Sequence, residues 1–215
     1  MGSVERIQNV AKRVAKWMRA GHQVVVVPSA MSGETNRLLG LAKELSANPN
    51  PRELDQIAST GEQVSSGLLA IALQEQGVDA VSYTGWQVTV HTDSSFTKAR
   101  IMGIDDAKIM KDLNAGRAVV ITGFQGVDPE GNITTLGRGG SDTSAVAVAA
   151  ALKADECLIY TDVDGVYTID PRICADAKRL SLMPCAYRSV INVSGDGKGT
   201  VLVRRNGDSP SLSDI

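Results

Sequence analysis

The chain has 215 residues, 43% of them apolar and 21% charged, which suits one packed domain, or one and part of another, and excludes a disordered polymer. A net charge of −2 removes the broad basic field of a dedicated nucleic-acid binder, and 4% aromatics argues against stacking on bases or sugars. The longest apolar runs, at 24–28 and 144–152, fall far short of the ~20 residues that span a bilayer, so no membrane partner is expected.

The first ten residues carry no signal-like apolar stretch, and three cysteines without a CxxC suit thiols in a reducing cytoplasm. His22 and His91 are far apart, and no Cys/His cluster suggests a metal site. Glycine is the informative residue, because several of its 21 copies cluster beside Ser, Thr and Asp, where backbone N–H groups can approach an anion.

Along the chain, Val4, Ile7, Val10, Val14 and Trp17 recur at helical spacing and predict a helix over 3–20, stopped by Gly21. The β-branched run 23–27 predicts a strand buried on both faces, ended by Pro28. A polar turn then runs into a helix within 29–45. Helices follow at 51–58 and 61–76, joined by Ser59 and Thr60. Short strands are expected at 80–83 and 87–90, a helix at 105–114, and a buried strand at 117–122. An Ala/Val helix covers 141–153, apolar nearly all round and so central, before a strand at 156–161. Apolar, unalternating strands between helices define an α/β domain, a three-layer α/β/α sandwich with a mainly parallel sheet. The strands at 24–27, 117–122 and 156–160 should be neighbours or near-neighbours in it. Past Arg179 the character changes. Segments 189–193 and 200–203 read as a hairpin through the glycines at 195–199, and the last ten residues as disorder.

Four motifs carry chemistry. The segment Gly137-Arg138-Gly139-Gly140-Ser141-Asp142 opens the 141–153 helix, so its N–H groups, the helix dipole and Arg138 all favour an anion. Ser141 or Asp142 alone could be an ordinary N-cap, but that leaves three glycines and an arginine unexplained. The stretch 160–172, YTDVDGVYTIDPR, lies at a strand's C-terminal end, where ligands of open α/β sheets bind. A calcium loop there would need Glu eleven residues after Asp162, and Ile173 stands in that place. Ser29-Ala30-Met31-Ser32-Gly33-Glu34-Thr35 follows a buried strand, as a substrate or phosphate loop would, although a capped helix start explains it equally well. In Ser59-Thr60-Gly61-Glu62, Glu62 could accept from a substrate ammonium or simply complement its helix dipole. GDGKGT at 195–200 imitates a P-loop, yet Gly199 follows Lys198 where Ser or Thr is required.

Together and in this order, SAMSGETNRL, STGEQVSSGLLA, TTLGRGGSDTSAVA and YTDVDGVYTIDPR resemble the aspartate kinases of the amino-acid kinase family, over about residues 2–180. The resemblance implies ATP and Mg²⁺ as cofactors and L-aspartate as acceptor, with transfer of the γ-phosphate to its side-chain carboxylate. That is the entry to lysine, threonine and methionine synthesis. It implies that Thr35 and Glu62 hold aspartate, with Arg138 and Ser141 on its carboxylates. Asp142 would organise the catalytic cluster, with Arg138 acting there too. Ser29, Gly139 and Gly140 would line the phosphate side, and Thr161, Asp162, Tyr167, Asp170 and Arg172 the adenosine wall. An oligomer of family-like subunits is compatible with it.

Two departures qualify the resemblance. The family opens with a strand and a Lys-Phe/Tyr-Gly-Gly-Thr-Ser loop, and Met1 stands at that junction. After residue 180 an atypical tail replaces the route to regulatory ACT domains. The implied domain is therefore an incomplete kinase domain over 1–180 with a tail over 181–215. Its turnover is expected to be impaired, and the strand 24–27 to face an unfilled slot. The competing reading is a catalytically impaired nucleotide- or aspartate-binding fragment. A carbamate, glutamate or uridylate kinase is opposed by the first two motifs.

Overall fold

In a computed structural model of the chain, the described residues are 1–137 and 139–160, with the backbone of strands at 183–184, 190–194 and 200–205. Helix α1 (Val4–Arg19) starts where Ser3, in extended geometry, accepts the Arg6 N–H at 3.3 Å, and ends before Gly21 at φ +88°. Strand β1 (Gln23–Pro28) is buried along its length after Gln23, as the continuous valine run requires. Helix α2 spans Glu34–Leu45. Helix α3 (Pro51–Ala58) has Pro51 in its first turn, and its Asn50 cap accepts the Arg52 N–H at 2.9 Å. Helix α4 (Thr60–Glu75) follows directly.

Strands β2 (Ala80–Tyr83), β3 (Val90–Thr92) and β4 (Ile101–Ile104) precede helix α5 (Ala107–Asn114). After it come β5 (Ala118–Ile121), β6 (Gln125–Val127), β7 (Ile133–Thr135), α6 (Gly140–Leu152) and β8 (Glu156–Tyr160). Strands β9 (Met183–Pro184), β10 (Val190–Ser194) and β11 (Thr200–Arg205) complete the described chain.

A seven-stranded sheet has the order β2-β5-β1-β11-β8-β10-β9, and a second sheet the order β4-β3-β6-β7. Strand alternation divides the core between the faces of the large sheet. Val24, Val26, Val120 and Leu158 pack with Ile7, Val14, Leu69 and Leu73 of α1 and α4. Val25, Val27, Val119, Ile121 and Cys157 pack with Ile109, Leu113, Val148 and Leu152 of α5 and α6. This is the expected three-layer sandwich, with β5 beside β1 and β8 one strand beyond.

Three expectations are corrected. The segment 87–90 is not a strand: Val88 N–H turns back to the Thr84 carbonyl at 3.4 Å, Thr89 sits at φ 44°, and pairing starts only at Val90. The described strands of the tail do not pair with each other as a hairpin would. Strand β10 pairs parallel with β8, and β11 pairs antiparallel with β8 on its other side, so both edges of β8 are satisfied, which a hairpin would not achieve. Strand β11 also pairs with β1, Leu202 opposite Val26, so the strand at 24–27 faces no open slot. The expectation of disorder over the last ten residues lies outside the described residues. Among the described residues no helix is long and apolar enough to cross a membrane.

Candidate functional site

Because β11 runs antiparallel to both β1 and β8, those two strands point the same way, and β5 runs parallel to β1. Their C-terminal ends therefore share one edge of the sheet, where an open α/β fold places its ligand crevice. A cleft of about 580 Å³ opens there, lined by Ser29, Thr35, Asn36, Leu39, Glu62, Thr97, Phe124, Leu136, Gly137, Gly139, Gly140, Ser141 and Asp142.

Close backbone packing makes this geometry. At Gly123, just past β5, a Cβ would lie 2.9 Å from Val27 Cγ1, 3.1 Å from Ser141 Cβ and 3.2 Å from the Pro28 carbonyl oxygen. Only glycine lets the exit of β5 lie against both β1 and the start of α6. The Phe124 N–H donates to Ser144 Oγ at 2.9 Å and fixes the next residue to α6. Helix α6 starts from Gly139 at φ +73°, and no side chain caps it. The first-turn N–H groups lie at the cleft with the positive end of the helix dipole, a ready anion site.

Glu62 supplies the opposite charge. It lies in the first turn of α4, only 4% exposed. Oε1 accepts the Ala30 N–H at 3.2 Å, tying α4 to the loop after β1, while Oε2 has no partner among the described residues. Burial pushes its carboxyl up to about 7, against the smaller opposing effect of the Ala30 N–H. A cationic donor at Oε2 would restore the charged form. Asp142 stands at the more open part of the cleft, and local desolvation raises its carboxyl above the ordinary aspartate value.

Of the residues singled out in the sequence, Ser29, Thr35, Glu62, Gly139, Gly140, Ser141 and Asp142 thus meet in one cleft. Arg138 lies outside the described residues, between two glycines that line the cleft. Thr161, Asp162, Tyr167, Asp170 and Arg172 also lie outside them; the segment they occupy continues from β8. Asn36, Leu39, Thr97, Phe124 and Leu136 were not foreseen. Leu136 directly precedes the glycine motif and could have been found by extending it by one residue, whereas Phe124 lies thirteen residues upstream of it. Thr97 sits in a stretch with no local signal.

A crevice at parallel strand ends beside a glycine-led helix N-terminus places the chain among α/β proteins with a ligand cleft at the sheet edge. A sequence profile of the Amino acid kinase family matches residues 1–203, and the chain belongs to that family. It is 61% identical over 206 residues to an aspartate kinase of Pseudomonas fluorescens, covering 95% of this chain and 49% of that protein. It is 59% identical over 204 residues to an aspartate kinase of Stutzerimonas stutzeri, again 95% of this chain and 49% of the relative. The chain spans about half the length of the curated relatives it matches. The crystal structure of an aspartate kinase from Synechocystis superposes with a TM-score of 0.70 at 40% identity, over 98% of this chain and 39% of that one.

Proposed function

We propose that this chain carries the catalytic core of an aspartate kinase, moving the γ-phosphoryl group of ATP to the side-chain carboxylate of L-aspartate. The observation that carries the reading is Glu62, a buried carboxylate with one unpartnered oxygen, lining the same cleft as an uncapped glycine-led helix N-terminus. An amino acid presents an ammonium for the first and carboxylates for the second. The high identity to aspartate kinases of two organisms supports the same assignment.

The acceptor carboxylate, with a reference pKa of about 3.9, is ionised at neutral pH and needs no general base. The protein's work is alignment and neutralisation of phosphate charge. Glu62 would anchor the acceptor ammonium, Thr35 and Ser141 its polar groups, and Arg138 its carboxylate. The N–H groups of Gly139 and Gly140, with Ser29, would face the phosphates, and residues 161–172 would hold the adenosine. Mg²⁺ supplies charge neutralisation when it arrives with the nucleotide. The donor set fits such a cation, because Mg²⁺ in phosphoryl transfer takes one or two carboxylates plus phosphate oxygens, and Asp142 is the carboxylate at hand.

The test is aspartyl phosphate formation, trapped as the hydroxamate, with L-aspartate and MgATP. Hydroxamate that depends on both substrates is expected. Binding of both without turnover would make the chain a binding fragment, and failure to bind L-aspartate would overturn the assignment.

A further inference from the structure

Thr97 holds a conformation that its side chain resists. It is β-branched, yet its φ is +67°, in the left-handed region where such residues are outliers. Conformations of this kind persist when the surroundings over-determine them, and they gather at ligand sites. Here the cause is Asp55 of α3, which is 0% exposed. The Thr97 N–H donates to Asp55 Oδ1 and Oδ2 at 3.0 and 2.9 Å. The same carboxylate accepts the Thr135 N–H at 2.9 Å and the Thr135 hydroxyl at 2.6 Å. Upstream, Asp93 accepts the Ser95 and Arg100 N–H groups at 3.2 and 3.1 Å and closes the base of the loop.

The carboxylate thus joins two parts of the cleft wall. One is Thr97; the other is Leu136 and Gly137, which follow Thr135 directly. Among the described residues, all four hydrogen bonds to the Asp55 carboxylate come from these two threonines, while the Thr97 hydroxyl has no partner. A buried carboxylate spent on holding a strained threonine at a cleft has an evident use if that threonine meets the ligand. Its partner would be the acceptor, since Thr97 shares the cleft with Glu62, and Glu62 and Asp55 are carried by the consecutive helices α4 and α3.

We infer that Thr97 is a further acceptor-contacting residue, its hydroxyl hydrogen-bonding a carboxylate of the amino-acid acceptor, and that Asp55 is the positioning residue that keeps it there. This rests on the aspartate kinase reading above.

The experiment measures equilibrium binding of L-aspartate and of ADP to the full chain and its variants, with thermal unfolding alongside. Thr97→Val keeps the shape and backbone preference of the residue and removes only the hydroxyl. It should weaken L-aspartate binding roughly 10- to 100-fold, the worth of a hydrogen bond to a charged group. ADP binding and the unfolding midpoint should stay unchanged, and Thr97→Ser should retain wild-type affinity. Asp55→Asn should also weaken L-aspartate binding. Adding Thr97→Val to it should cost little more, because the hydroxyl is already misplaced. Wild-type affinity in Thr97→Val would overturn the contact. Losses that multiply in the double variant would overturn the positioning role. A wild-type chain that binds ADP but not L-aspartate would instead remove the aspartate kinase reading, and this inference with it.

Discussion

The two sheets of this molecule differ in how much of their buried surface is polar. In the large sheet, β1 and β5 are runs of valine and isoleucine buried on both faces, and their energy comes from apolar surface removed from water. In the small sheet, the buried side chains include Thr92, Thr134, Thr135 and Gln125, each at most 2% exposed. Their burial is tolerated where their polar atoms are paired: Thr92 to Thr134, Thr135 to Asp55, and Gln125 Nε2 to the Ser59 carbonyl at 2.8 Å, whereas Gln125 Oε1 has no partner among the described residues. Apolar packing is non-directional and tolerates shape-conserving change. Paired polar groups fix geometry to tenths of an ångström. The cleft draws its platform from the first kind of structure and the placement of its wall from the second.

The largest effect should come from a charge placed in the platform. Val26 is fully buried between Val120 and Leu202 of the flanking strands. Val26→Asp puts an unpaired carboxylate there, and a loss of at least about 4 kcal/mol is expected, most of the ~5 kcal/mol that stabilises a marginal domain. His91→Asp, on an exposed position of β3, should change stability by no more than about 0.5 kcal/mol. Urea midpoints for the two variants test this contrast, and similar losses for both would defeat it.

Glu62 sets stability against function within the platform. Its carboxyl is raised from 4.5 to about 7 by burial. At pH values below 4.5 both folded and unfolded chains hold the proton, so Glu62 contributes nothing. Between 4.5 and about 7 the unfolded chain releases it first, and stability falls as pH rises, fully so above about 7. The penalty is on the order of 3 kcal/mol. Glu62→Gln should therefore raise stability by up to that amount near pH ~8 and by nothing near pH ~4. It should also weaken L-aspartate binding by roughly 10- to 100-fold, through loss of a charged partner. Wild-type affinity for L-aspartate should climb as pH rises toward about 7 and then level off, with the variant flat over the range. A pH-independent wild type would remove Glu62 from the ammonium site.

The same division explains what was legible in the sequence. Strand β1, strand β5 and the helices α1, α3 and α6 announce themselves by apolar run, cap or periodicity, and the motif glycines mark the phosphate side of the cleft. The small sheet gave almost no signal. Strands β4, β6 and β7 are three or four residues long, and QGV and ITT look like loop, since their burial depends on partners far away in sequence. Asp55 illustrates the difficulty. Within α3 it reads as an ordinary surface acid, and only the fold brings Thr97 and Thr135, 42 and 80 residues away, onto its oxygens. The tail misled for a related reason. Two strand-like segments around glycines suggest each other as partners, whereas both pair with β8, whose edges lie outside any local window.

A subtler pair of substitutions should separate the two kinds of burial most cleanly. Thr92 and Thr134 share a hydrogen bond between hydroxyls, both buried in the small sheet. Thr134→Val keeps the shape but leaves the Thr92 hydroxyl without its partner, and should cost about 1–3 kcal/mol. Replacing both threonines by valine removes the orphaned group along with the bond, and the pair should then return close to wild-type stability. If the small sheet draws its order from pairing rather than from apolar burial, the double variant will be more stable than either single one. Urea unfolding with an unchanged slope reads this directly. A double variant as unstable as the sum of the two single losses would mean that the hydroxyls contribute individually, and that the contrast between the sheets is one of composition only.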